Sequence, residues 1–512
     1  MAAVNSPLLL GLDLGISTVK AGLFALDGSE VALVAAEYLQ MPEGASRFEV
    51  DPESLWQAIV SVARRALGQV DWGAGRVAGV SVASHAETMV FLREDGTAVR
   101  PAIMSPDSRA EQEARELAEA LGRHWLLERT GQPEVIGMYP APKLAWLRRH
   151  EPDALAQSAH ILMPNDYVLF RLSGALAGEP TAWLSSMMLG LDTSDWLDPV
   201  LAFAGVVRQQ LPTIVAPGTV VGSVTARAAA ETGLPLGVPV VAGAMDQICA
   251  ALAAGNIRPG IVTASTGSVI ALVATTVGPI LDPVTKVPCY PHAMPGKFCL
   301  LPWNPTGGLV LKWFKDRFVP RQQVEAERGG ASVYDLLTSE AAGVPPGSDG
   351  LLMLPHLEGI IFPETNPAAR GVFFGISLSH GRGHFVRAIM EAIAYMLRSG
   401  IESLRGLGVQ ADEVRLLGGG ARSPLWLRIM ADVCQVPVLV PRGREAAAMG
   451  AALLAAVGAG IYPDIPSAVE AMVQVQERVE PDLQMLPVYD ECYAKYLRLY
   501  EQLRPLFTSS DR

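Results

Sequence analysis

The chain is 512 residues long, with 40 Lys and Arg against 52 Asp and Glu and a formal net charge of -12. Half of its residues are hydrophobic and 18% are charged, which excludes a largely disordered chain. No basic stripe is present and the total is acidic, which argues against a nucleic-acid binder that works by neutralising phosphates. The length suits two large domains or three smaller ones. Cys249, Cys289, Cys299, Cys434 and Cys492 form no CxxC or zinc-ribbon spacing and read as reduced thiols. The N-terminus lacks a cationic signal front, and Pro239 and Asp246 interrupt the apolar stretch at residues 236–254. The expectation is a soluble cytoplasmic protein that binds neither membrane nor nucleic acid.

Residues 8–14 form a short apolar strand with one acid, Asp13, near its end. Gly15-Ile16-Ser17-Thr18 is a tight, hydroxyl-rich turn, residues 19–26 a second strand, Asp27-Gly28 a hairpin turn and residues 31–38 a third strand. This antiparallel meander lacks the strand–loop–helix order of a dinucleotide fingerprint or a Walker loop. Asp51-Pro52-Glu53-Ser54 caps a helix that runs through Trp56 to about Ala66. Residues 77–81 are a strand leading to the polar group Ser84, His85 and Glu87, and a two-stranded return follows across Asp95-Gly96. Helices are expected over 109–121, 142–149 and 162–172, the last capped by Asn165 or Asp166. Residues 181–211 read as an insertion with short helices.

Residues 238–242 are a buried strand, Gly243-Ala244-Met245-Asp246 follows directly, and 247–254 is an Ala-rich helix. After the loop 255–260, strand 261–264 turns through Ser265-Thr266-Gly267-Ser268 into strand 269–273. The opening strand–turn–strand unit thus recurs about 250 residues later, which points to two related domains, 1–254 and 255–512. A strand at 351–355 and a loop at 362–370 precede a long helix over 384–405, stopped by Gly406. Strand 413–417, the loop Gly418-Gly419-Gly420-Ala421-Arg422-Ser423, helix 424–433, strand 437–440 and helix 446–458 complete an α/β pattern. Segments 469–473 and 488–503 are expected as surface helices packed back on the second domain.

Asp13 stands where an apolar strand meets a glycine turn, and a carboxylate there needs backbone amides or a cation to offset its burial. Gly15, Ser17 and Thr18 offer N–H and O–H groups to phosphate oxygens, so the turn reads as a phosphate and Mg2+ site or as a capped β-turn. Ser265-Thr266-Gly267-Ser268 carries the same two readings. Gly418-Gly419-Gly420 permits flat backbone against a planar ring or a phosphate, or serves conformation alone; no Lys follows it, which excludes a P-loop there. Asp246, at a helix start, reads as a base for a substrate hydroxyl or as an N-cap. Ser84, His85, Glu87, Asp107 and Arg109 read as polyol-binding groups or as solvated loops. GxSxG is absent, and His292, His380 and His384 lack metal-site spacing.

In their order and spacing these segments resemble the FGGY carbohydrate kinases, with the xylulose kinases nearest among them, within the superfamily of actin, hexokinase and Hsp70. The resemblance rests on Gly11-Leu12-Asp13-Leu14-Gly15-Ile16-Ser17-Thr18-Val19-Lys20, Asp107-Ser108-Arg109, Pro142-Lys143-Leu144 with Trp146-Leu147, and Asn165-Asp166-Tyr167. It continues through Gly243-Ala244-Met245-Asp246-Gln247, Ser265-Thr266-Gly267-Ser268, Asn366 to Gly371, Gly418 to Ser423 and Glu445 to Ala452. It implies an α/β fold of two ribonuclease-H-like domains with an interdomain cleft, and a kinase using ATP and Mg2+. Asp246 would be the base and Asp13 the metal-associated carboxylate. Gly15, Ser17, Thr18 and Lys20 would form the first phosphate motif, Thr266 and Gly267 the second, and Gly419, Gly420 and Ser423 the adenosine side. His85, Ser84, Glu87 and Asp107 would face the sugar.

The chain departs from the xylulose kinase pattern at Ser84-His85, where Met-His is usual, at Met245-Asp246-Gln247, and at His356 to Ile360. The resemblance makes D-xylulose the leading acceptor, and these departures keep another ketose, a polyol such as glycerol or erythritol, or a sugar acid open as alternatives. A different class, a non-catalytic actin- or Hsp70-like ATP-binding protein, would need neither Asp246 nor His85. The implied partner is a small sugar, and a homodimer is left open.

Overall fold

The computed structural model describes residues 5–39, 47–73, 75–320, 332–443 and 445–508. The opening apolar run becomes β1 (Leu8–Leu14), buried along its whole length. It pairs antiparallel with β2 (Thr18–Phe24), which pairs antiparallel with β3 (Glu30–Glu37). Gly28 turns the hairpin at φ +79°, and the Asp27 carboxylate accepts from Ser29 N at 3.0 Å. On the other side of β1 lies β4 (Val77–Ser84), parallel to it, then β6 (Pro239–Met245), parallel to β4, with β5 (Val220–Ser223) as an antiparallel edge. The six-stranded order is β5-β6-β4-β1-β2-β3.

The second half builds the same arrangement. In β7 (Gly260–Thr266), β8 (Ile270–Thr276), β9 (Cys289–Pro291), β10 (Phe298–Leu300) and β11 (Trp303–Asn304), antiparallel pairing runs β7–β8–β10–β9, with β11 also on β8. Parallel to β7 lies β12 (Ala411–Gly418), then parallel β13 (Val438–Pro441), and β14 (Val475–Val479) closes the edge antiparallel. In each sheet an antiparallel meander stands beside two parallel strands in the same spatial order. Two α/β domains of ribonuclease-H type result, and the strand–turn–strand echo in the sequence is the visible trace of their shared topology.

Helices supply the crossovers that parallel strands require. In α1 (Pro52–Gly68) the Asp51 carboxylate accepts from Glu53 N at 3.1 Å, and Leu55, Trp56, Ile59, Val62 and Ala66 face the core at helical spacing. Next come α2 (Glu111–Leu121), α3 (Pro140–His150), α4 (Pro164–Ser173) and α5 (Asp246–Ala253). The later half adds α6 (Arg382–Gly406), α7 (Pro424–Cys434), α8 (Ala446–Gly458), α9 (Ile465–Met472) and α10 (Leu486–Leu503). No described helix is long and apolar enough to cross a membrane. All five cysteines are free thiols, four of them buried.

Asp95-Gly96 forms the expected turn and a short return, with Thr97 N donating to the Asp95 carboxylate at 2.9 Å and Leu92 bridging Ala98 antiparallel; Val90–Leu92 also pairs with His160–Leu162. Two local expectations are refined. Asp166 caps α4 from inside its first turn, accepting from Met163 N at 3.0 Å and Trp183 Nε1 at 2.7 Å. The tail includes strand β14, whose first four residues are exposed; an edge strand needs no apolar alternation to announce it.

The small-residue helix α8 belongs to the second half of the chain but lies on β1, β4 and β6 of the first sheet and against α5. A Cβ on Gly11 would stand 1.8 Å from the Ala448 carbonyl oxygen, and one on Gly450 1.9 Å from that of Cys249. Backbone thus meets backbone on both faces of α8, and only glycine permits it. Gly450→Ala is expected to lower stability by about 1–3 kcal/mol, the usual cost of overpacking. Urea unfolding would check this, and an unchanged midpoint would contradict the close approach.

Candidate active site

A cavity of about 910 Å³ opens between the two sheets, with walls from the β1–β2 turn, the starts of α5 and α8, the β7–β8 turn and the triglycine loop after β12. Asp13 and Lys20 are direct cross-strand partners in β1 and β2, and Lys20 Nζ donates to Asp13 Oδ2 at 3.2 Å. The same ammonium lies 2.8 Å from Glu445 Oε2, which joins β2 to the start of α8. Burial works against the Lys20 charge, but the two carboxylates outweigh it and hold the ammonium above its ordinary range. Burial pushes the Asp13 carboxyl up, and Lys20 offsets that only in part.

Gly15, Gly267 and Gly419 line this cavity, and a Cβ on Gly267 would meet nothing within 4 Å. Thr266 turns inward: its hydroxyl donates to the Leu417 carbonyl at 2.9 Å and accepts from Gly420 N at 3.1 Å, bracing the triglycine loop against the β7–β8 turn. Ser423 caps α7 by accepting from Trp426 N. Tyr38 holds the first turn, donating to the carbonyls of Gly15 and Ile16 at 3.0 and 2.7 Å. Asp13, Gly15, Lys20, Gly267 and Gly419 are in the lining; Thr266 and Gly420, buried and bonded to each other, stand behind it, and Ser17, Thr18 and Ser423 are half-buried outside it.

A second, smaller cavity of about 190 Å³ adjoins it, lined by His85, Glu87 and Ser105 from the first half and by Tyr290 and Trp303 from the second. Glu87 sits at φ +72°, and its carboxylate accepts from Ser105 Oγ at 2.8 Å; burial raises its pKa. His85 has both ring nitrogens engaged, Nδ1 with the Leu14 carbonyl at 2.9 Å and Nε2 with Thr88 Oγ1 at 2.8 Å. A carbonyl only accepts, so Nδ1 carries the proton and Nε2 accepts from Thr88. Burial lowers the ring to about 4, which keeps it neutral. His85 thus presents a ring wall to the cavity. Asp107 is fully buried, accepting from Arg109 Nε at 2.8 Å, Arg109 Nη2 at 2.7 Å and Phe48 N at 2.7 Å, and lies outside the lining. Ser84, at the buried end of β4, lies outside it too. Of the four groups the sequence suggests for an acceptor, the structure brings His85 and Glu87 together.

Asp246 and Gln247 line both cavities. The end of β6 is fixed by Met245 N, which donates to Thr181 Oγ1 at 2.8 Å, and Asp246 Oδ1 accepts from Gln247 N at 2.6 Å as α5 begins. Burial first, then the neighbouring Asp13, raises the Asp246 carboxyl to about 7. A carboxylate poised near neutrality stands where a small polar chamber meets a large chamber holding a second acid and a lysine. That arrangement suits removal of a proton from a hydroxyl in the small chamber as it attacks a group in the large one.

Comparison with known proteins agrees with this geometry. The N-terminal domain of the FGGY family of carbohydrate kinases matches residues 8–253, and the C-terminal domain matches 266–459. The chain belongs to the FGGY family. The autoinducer-2 kinase of Salmonella choleraesuis (strain SC-B67) is 30% identical over 511 residues, covering 97% of this chain and 95% of that protein. The xylulose kinase of Bacillus subtilis (strain 168) is 29% identical over 501 residues, with 98% of each covered. A crystal structure of xylulose kinase from Rhodospirillum rubrum is 32% identical, with a TM-score of 0.84 over 98% of this chain and 99% of that one. The expected priority of the xylulose kinases gains no support from these figures, since autoinducer-2 kinases match equally well. As an FGGY kinase, the protein is an ATP-dependent phosphotransferase acting on a small sugar or polyol, and a non-catalytic ATP-binding role is set aside.

Sequence reasoning missed Ser105, Tyr139, Gln247, Tyr290 and Trp303, all of which line the small cavity. Ser105 and Gln247 adjoin motifs and were within reach of the sequence. Tyr290 and Trp303 arrive from the second sheet, and only tertiary structure brings them there.

The raised Asp246 pKa fixes a stability profile. Below the ordinary value of 3.8 the acid is protonated both folded and unfolded. As pH rises toward about 7, the unfolded chain ionises while the half-buried carboxyl resists, and stability is lost over that interval. Asp246→Asn should therefore raise the urea midpoint at pH 8 but not at pH 4, with about 1.4 kcal/mol per pK unit as the ceiling. Equal midpoints at pH 8 would contradict the burial.

Proposed function

We propose that this kinase transfers the γ-phosphoryl group of ATP to a hydroxyl of a small uncharged keto-sugar, D-xylulose being the leading acceptor, with Asp246 as general base. The placement of Asp246 in the lining of both cavities carries this reading. Asp246 takes the hydroxyl proton as the acceptor oxygen bonds to the γ-phosphorus, the bond to the β-phosphate oxygen breaks, and ADP leaves. Lys20 faces the phosphates, with the backbones of Gly15 and Gly267 on either side and the flat Gly419 loop toward the adenosine. Thr266, Gly420 and Ser423 serve by bracing that loop, and Ser17 and Thr18 by shaping the first turn.

The donors fit Mg2+, which binds through one or two carboxylates together with waters and phosphate oxygens. Asp13, a buried carboxylate lining the same cavity as Asp246, is the residue that would hold it. When bound, the ion offsets the charge of the transferring phosphoryl group.

The small cavity has room for about six waters at ~30 Å³ each, which suits an acceptor of a few carbons. Among the described residues its acidic lining groups are Glu87 and Asp246, with no Lys or Arg beside them. That disfavours a sugar acid. Glu87 accepts hydroxyl hydrogen bonds, while His85 and the aromatic walls shape the chamber; Ser84 and Asp107 support it from behind. A second reading, the acceptor of the autoinducer-2 kinases, is favoured by the 30% identity to that group and by apolar walls at Ile136, Met138 and Leu301.

An ADP-release assay with D-xylulose, autoinducer-2, glycerol and gluconate separates these readings; turnover of gluconate alone would sink the uncharged-acceptor proposal. Asp246→Ala should lower kcat by about 10²–10⁴-fold, the range for loss of a general base, and leave nucleotide affinity within a few-fold. For the wild type, kcat/KM should rise with pH through about 7, because Asp246 must be ionised to act.

A further inference from the structure

Lys143, on α3, is fully buried beneath the small cavity and is not part of its lining. Its ammonium donates to the carbonyls of Glu87 at 3.1 Å, Met104 at 2.8 Å and Ser105 at 3.1 Å. An ammonium has three donors and no acceptor, so its hydrogen-bonding capacity is spent on two loops of the main chain. These loops are the two that hold the cavity's own carboxylate. Glu87 occupies the left-handed region at φ +72°, which a residue with a side chain holds only when its surroundings impose it. Ser105 is tied three ways: its N–H donates to Thr88 Oγ1 at 2.9 Å, its carbonyl accepts from Lys143, and its hydroxyl donates to the Glu87 carboxylate at 2.8 Å.

We propose that Lys143 is a positioning residue for acceptor binding: by gripping the Glu87 and Ser105 carbonyls together it sets where the Glu87 carboxylate stands in the small cavity. This rests on the reading that the small cavity holds the acceptor. Lys143 touches neither cavity, so it acts through Glu87 and leaves the nucleotide side unchanged. A lysine that merely fills the core would affect both substrates, or neither, once the protein has folded.

The test uses the full-length kinase as wild type, Lys143→Met and Ser105→Ala, assayed with D-xylulose, autoinducer-2 and glycerol, together with a crystal structure of Lys143→Met. Met keeps the volume and removes all three donors; Ser105→Ala removes only the hydroxyl on Glu87. The expected result is a tenfold or larger rise in KM for the accepted sugar in Lys143→Met, with KM for ATP changed less than twofold and Glu87 moved out of the left-handed region. Ser105→Ala should raise the acceptor KM at least threefold, again with KM for ATP unchanged. An unaltered acceptor KM, or equal changes for both substrates, would overturn the proposal. If wild type phosphorylates none of the three acceptors, the functional reading fails, and an unmoved Glu87 in the variant crystal would then overturn the role of Lys143 separately. If Lys143→Met does not fold, Ser105→Ala decides, and an unchanged acceptor KM in it overturns the proposal.

Discussion

Everything in this molecule turns on holding one half-buried carboxylate at the junction of two chambers. Asp246 is half-buried, because β6 delivers it to the end of the first sheet, where it lines the cavities that open toward the second. That burial holds its proton affinity close to neutrality, and the nearby Asp13 pushes in the same direction. The surrounding elements serve this one placement. Thr181 fixes the end of β6, Gln247 anchors one carboxylate oxygen, and Lys20 with Glu445 sets the charge balance of the larger chamber.

Folding and chemistry pull in opposite directions here. A half-buried acid at the meeting of two domains is a burden to the folded state, and a core designed for stability would place an amide or an apolar side chain there. The small chamber repeats the pattern: Glu87 is held in an unfavourable backbone region with its side chain half-buried. Such local penalties gather where a site must be rigid before its ligand arrives.

Much of the fold was legible in the sequence because its signals are local. Asp27-Gly28 announces a hairpin, Asp51-Pro52 a helix start, and the apolar runs at β1, β6 and β12 their strands. The recurring strand–turn–strand unit gave away the duplication, which the matching strand orders explain. The edge strand β14 carries no such signal, and the pairing of residues 90–92 with 160–162 is decided by packing. In the site, charge and glycine placement pointed to Asp13, Asp246, Glu87 and three glycines, all of which line the two cavities. What the sequence could not convey was direction. Thr266, His85 and Asp107 have the right chemistry for ligands, yet the structure turns their polar atoms inward to brace loops and strand ends.

The placement of α8 bears on how the chain is made. Strands β1, β4 and β6 are complete by Met245, but the helix that covers them runs from Ala446 to Gly458. During synthesis the first sheet therefore emerges with an apolar face and no lid, and waits for most of the remaining polypeptide before it can be sealed. Severing the chain at the apparent domain boundary would leave that face permanently bare. The two halves look like separate modules in their topology, but as nascent chains they mature together.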